Sequence, residues 1–91
     1  MKESNVKDDI TRYLQSLGPR CWFFMPFMMG YGRKGIPDFI GFIDGKGFAI
    51  EAKRPDGKMT PWQERERDAI IESAAIYVLA CDVLAVKRMI R

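Results

Sequence analysis

Ninety-one residues, 47% of them apolar, suffice for one small core with little to spare, so residues 1–91 are expected to form a single folded domain. A net charge of +3 and a pI near 9.0 permit a nucleic-acid partner without demanding one. No run is long enough to span a membrane and no signal-peptide core is present, which points to a cytoplasmic protein with no membrane partner, and the lack of histidine excludes imidazole chemistry.

In chain order, Val6, Ile10, Tyr13, Leu14 and Leu17 recur at helical spacing and predict a first helix from about Glu3 to Leu17, stopped by Gly18 and Pro19. Cys21 to Phe27 reads as a strand. Cys21 and Cys81 lie in apolar runs without metal-binding spacing and read as reduced core thiols. The segment from Pro26 to Gly35 is first apolar, then glycine-rich and basic, with Arg33 and Lys34 just before the next strand. Loop glycines such as Gly35 let backbone approach a phosphate, and the two cations add charge there. Phe27, Met28 and Met29 are core or a partner surface.

Two Ile/Phe-rich runs, Asp38 to Ile43 and Gly47 to Lys53, flank a turn signal and predict an antiparallel hairpin. With Gly45 and Lys46 central, or with a four-residue loop from Asp44 to Gly47, Asp38 lies opposite Lys53 and Ile40 opposite Glu51. Asp38, Glu51 and Lys53 then share one face. Phe39, Ile43, Phe48, Ile50 and Ala52 occupy the other face, while Ile40, Phe42 and Ala49 accompany the trio. Ionisable groups in so apolar a setting are costly without partners or a metal. Mg²⁺ and Mn²⁺ take oxygen ligands, and one or two carboxylates with substrate phosphate and water satisfy them, so Asp38 and Glu51 are candidate ligands. Lys53 is placed to orient a water, act as base or stabilise developing charge. The plainer alternative is a salt-bridged surface patch.

After Lys53, Arg54 and Lys58 bound a second basic loop at the same end of the hairpin. Thr60, Pro61 and Gln63 have capping-box spacing and start a helix running to about Ser73, apolar at Trp62, Ala69, Ile70 and Ala74, whose mixed charges read as a solvated face. Ile76 to Ala80 is a buried strand. Asp82 caps a last helix carrying Val83, Leu84, Val86, Met89 and Ile90, with Lys87, Arg88 and Arg91 near its end.

Gly35, Ile36, Pro37 and Asp38, followed by Glu51, Ala52 and Lys53, resemble the PD-(D/E)xK nuclease signature. The run from Gly32 to Asp38, with Gln63 downstream, is similar to the VRR-Nuc family of that superfamily, in its short stand-alone bacteriophage form. The two-part motif alone occurs by chance in many chains; the basic glycine loop, spacing, downstream Gln and element order together are more specific. The resemblance implies an α/β fold, a mixed sheet flanked by helices in the order αβββαβα. It also implies a metal-dependent endodeoxyribonuclease with Mg²⁺ or Mn²⁺ on Asp38 and Glu51, the Ala52 carbonyl as an extra ligand, and Glu3 assisting. Glu3 has a second explanation as an acid near a helix N-terminus, and Gln63, which the resemblance aims at the active site, has one as a helix cap. Arg33, Lys34, Gly35, Arg54 and Lys58 would face DNA phosphates. Four-way Holliday junctions are the substrate expected from the phage-type members, in a bacterial host cell. Two matched nicks call for a homodimer, with Phe27, Met28 and Met29 as the expected interface. A flap or other branched-DNA nuclease, and a non-catalytic DNA-binding module keeping the fold, are the competing expectations.

Overall fold

The computed structural model describes residues 3–27 and 32–91, with side chains from Asn5 onward. Its elements are α1 (Glu3–Ser16), a 3₁₀ turn (Gly18–Arg20), β1 (Cys21–Phe24), β2 (Phe39–Ile43), β3 (Lys46–Ala52), α2 (Pro61–Glu72), β4 (Ile76–Ala80) and α3 (Val83–Met89). The order αβββαβα expected from the sequence is the one found. The strands form one mixed sheet in the order β1-β2-β3-β4, antiparallel except for the parallel pair β3 and β4. Among the described residues no helix is long and apolar enough to cross a membrane.

One face of the sheet carries the core. Phe39, Ile43, Phe48, Ile50, Ala52, Val78 and Ala80 project from it onto α1, through Val6, Ile10 and Leu14, and onto α3, through Val86 and Ile90. The α1 residues are four apart, so their side chains stack on one helical face. Of the apolar residues carried by the last helix, Leu84 and Met89 are exposed. Cys21 packs against the core, whereas Cys81 is exposed and is not the core thiol expected from its apolar run.

The second face is covered unevenly. Helix α2 packs against β4 and buries none of its residues fully, leaving Trp22, Phe24 and Phe42 of β1 and β2 exposed, with their rings in a tilted row. Strand β1 stops at Phe24, three residues short of the expected end, since Pro26 brings no N–H to a ladder.

The hairpin register also differs from expectation. Ile43 pairs with Lys46, Ile40 with Ala49 and Phe39 with Ile50, so the central turn residues are Asp44 and Gly45. Both have positive φ, 49° and 82°, as a type I′ turn requires, and Asp-Gly suits that turn better than Gly-Lys. Arg20 clamps the turn with two bonds to the Asp44 carboxylate, at 3.1 and 2.8 Å. Extending the ladder brings Asp38 level with Glu51 rather than Lys53. The displacement is two residues, one full side-chain period, so no residue changes face.

Candidate active site

The start of β2, the end of β3 and the N-terminal parts of α1 and α2 converge at one end of the sheet. Buried Pro37 leads into Asp38, whose two oxygens are both engaged: Ala52 N–H donates to Oδ2 at 2.9 Å, and Lys7 Nζ lies 3.4 Å from Oδ1. Lys53 N–H in turn donates to the Ala80 carbonyl at 2.9 Å, tying the end of β3 to β4. The site therefore stands on sheet backbone on both sides, which limits how far its residues can drift.

Glu51 is the one buried charged residue among the described residues, 5% exposed. Burial pushes its carboxyl up to about 7, and the adjacent negative Asp38, within hydrogen-bond reach, pushes the same way; Lys53 and Lys7 oppose the rise. Such a group has a strong tendency to take up either a proton or a cation. Burial also raises the neighbouring Tyr77 phenol to about 12, with Glu51 adding to the effect.

Gln63 caps α2 and also reaches Glu51. Its backbone N–H donates to Thr60 Oγ1 at 3.1 Å and its Oε1 accepts from Thr60 N–H at 2.9 Å, completing a capping box at the start of α2. The remaining end of the amide, Nε2, donates to Glu51 Oε2 at 3.4 Å. The cap fixes the amide, and the fixed amide faces the buried carboxylate.

Lys53 follows two residues after Glu51 and its charge acts on that carboxyl, but among the described residues it forms no ion pair. The basic loop is held against α2. Arg33 makes a two-point contact with Glu66, at 2.9 and 3.1 Å, and Lys34 sits 4.6 Å over the Trp62 ring. Gly35, at φ 85°, lets the loop pass so close that a Cβ there would lie 2.4 Å from the Trp62 carbonyl. Arg54 pairs with Asp56 at 3.5 Å, and Lys58 is exposed.

A solved structure described as "VRR_NUC domain" superposes with a TM-score of 0.76, covering 94% of this chain and 90% of that one at 22% identity. The fold is that of a VRR_NUC domain. No protein-family model matches the sequence, and no curated protein does. On this VRR_NUC fold, Asp38 and Glu51 come together at the end of β3, with Gln63 against Glu51 and Lys53 two residues beyond it. The side chain of Glu3, and Met28 and Met29, lie outside the described residues.

Two features were missed in the sequence. Lys7 Nζ lies 3.4 Å from Asp38 Oδ1. Glu66 was assigned to a solvated face, yet its side chain is 12% exposed beneath Arg33. Nothing local to either residue reveals its distant partner. Among the described residues no group of three or more His, Cys, Asp or Glu assembles.

Proposed function

We propose that residues 1–91 form one nuclease domain that hydrolyses DNA phosphodiesters with the help of Mg²⁺ or Mn²⁺. The observation that carries this reading is the closeness of Asp38 to buried Glu51 on a VRR_NUC fold, with the Glu51 carboxyl pushed up to about 7 by burial and by the Asp38 charge. That donor set fits the proposed ion: all-oxygen, two carboxylates, and room left for water and phosphate. The Ala52 carbonyl supports the fit, because N–H and C=O of one strand residue leave on the same side and the Ala52 N–H already faces Asp38. A divalent ion bound there would polarise a phosphoryl oxygen and lower the pKa of an attacking water.

The chain's own residues have separate tasks in this reading. Lys53, whose charge acts on Glu51, positions the attacking water or takes its proton. Gln63 holds Glu51 Oε2 so that the carboxylate does not rotate away from Asp38. Arg33 and Lys34, with Arg54 and Lys58 across the site, contact phosphates; Arg33 exchanges the Glu66 carboxylate for a phosphate of similar geometry. Gly35 keeps that loop flat against α2.

Holliday junctions are the leading substrate, in the cytoplasm of a bacterial host, as for the short phage-type members the motif resembles. A homodimer follows from the need for two matched nicks. Phe27, 84% exposed, remains in the proposed interface with Met28 and Met29, and Trp22, Phe24 and Phe42 add exposed apolar surface on the neighbouring strands. Labelled four-way junction, flap, linear duplex and single strand, each incubated with Mg²⁺, separate the possibilities, with sedimentation giving the oligomeric state. Paired nicks in the junction by a dimer are expected. Cleavage of flaps alone would retain the nuclease and discard the resolvase, and metal-independent DNA binding without cleavage would leave a binding module.

A further inference from the structure

The two oxygens of Asp38 have partners of different kinds. Oδ2 accepts from a backbone N–H fixed in the sheet, while Oδ1 faces the Lys7 ammonium at the end of a flexible four-carbon stem. The Lys7 backbone itself is well anchored, because Val6, Ile10 and Leu14 of the same helix are buried at 2%, 0% and 0% exposure. The pair is only partly shielded, with side-chain exposures of 32% for Lys7 and 22% for Asp38, so the ammonium can leave for water without breaking the core. Its charge reaches Glu51 as well.

We propose that Lys7 is a resident cation for the paired carboxylates, holding Asp38 Oδ1 while the site lacks a divalent ion and giving up that oxygen when one enters. The proposal rests on the metal-dependent reading above. Two carboxylates in contact repel each other, and an ammonium 3.4 Å from one of them offsets part of that repulsion. A second cation at the same oxygen would be opposed by Lys7, so loading requires Lys7 to swing out. The displaced ammonium remains tethered one side-chain length from the site, where an incoming phosphate is its natural partner. Lys7 is thus a positioning residue whose presence weakens metal binding and steadies the metal-free protein.

Calorimetric titration of Mn²⁺ without DNA, on wild type, Lys7→Gln, Lys7→Arg and Asp38→Asn, tests this. Lys7→Gln should bind Mn²⁺ more tightly, by about fivefold, the order expected for losing a partly exposed ion pair. Lys7→Arg keeps the charge and should stay near wild type. In thermal melts Lys7→Gln should melt below wild type in EDTA and level with it in saturating Mn²⁺. If wild type binds Mn²⁺ in an Asp38-dependent way but Lys7→Gln binds no more tightly, the role of Lys7 is overturned and the nuclease reading survives. If wild type shows no Asp38-dependent heat, the metal site falls, and the role of Lys7 with it.

Discussion

Glu51→Gln is expected to lower cleavage by about a thousandfold or more while making the metal-free protein more stable at pH 8. The two effects have one cause. A carboxyl that ordinarily titrates near 4.5 is pushed to about 7 by burial and by Asp38, so at pH 8 the folded protein carries a buried charge that the unfolded chain hydrates freely. Because the folded-state value lies above the unfolded one, the proton-linked stability is fully present below about 4.5 and is lost as pH rises through about 7. The loss amounts to about 3 kcal/mol, most of it between about pH 5 and about pH 8. Denaturant melts in EDTA across that interval should show the wild type losing this stability relative to Glu51→Gln, which has no proton to lose. Addition of Mg²⁺ at pH 8 should restore it to the wild type alone. A pH-independent difference between the two proteins would mean that Glu51 is not held as the structure holds it.

Gly35→Ala should be far more damaging than Gly45→Ala. Its φ of 85° disfavours any side chain, and the added methyl would lie 2.4 Å from the Trp62 carbonyl and 2.7 Å from the Gln63 nitrogen, all of it backbone with little freedom to yield. A loss of about 2–4 kcal/mol is expected in denaturant melts. Cleavage should fall by about a hundredfold under conditions where the variant is folded, because the start of α2 carries Gln63 against Glu51. Gly45→Ala is the control. Its φ of 82° imposes a similar conformational cost, but nothing lies within 4 Å of the added methyl, so about 1 kcal/mol and no change in cleavage are expected. Equal effects at the two positions would argue that the loop does not rest on α2.

The element order and the shared face of Asp38, Glu51 and Lys53 were legible in the sequence because both depend on hydrophobic period and side-chain parity. Parity survives a two-residue error in register, and the register was wrong by two residues. The error came from choosing Gly45 and Lys46 as the turn when Asp44 also adopts positive φ, a conformation Asp tolerates better than most residues. Gln63 was legible as a cap; that the same amide also meets Glu51 depends on Glu51 lying beside the first turn of α2, a tertiary fact. Lys7 and Glu66 were invisible for the same reason, since their partners Asp38 and Arg33 are 31 and 33 residues away in the chain. The exposure of Trp22, Phe24 and Phe42 was not legible either, because it depends on α2 lying over β4 and away from β1 and β2.

The most direct test of the metal-dependent nuclease is cleavage of a labelled four-way junction, beside matched linear duplex, by wild type and Lys53→Ala in Mg²⁺, Mn²⁺ or EDTA. The arrangement of Asp38, Glu51 and Lys53 predicts nicking that requires the metal and is lost in the variant, with both proteins folded and binding the junction alike. Nicking that persists in EDTA, or in Lys53→Ala at the wild-type rate, would contradict it.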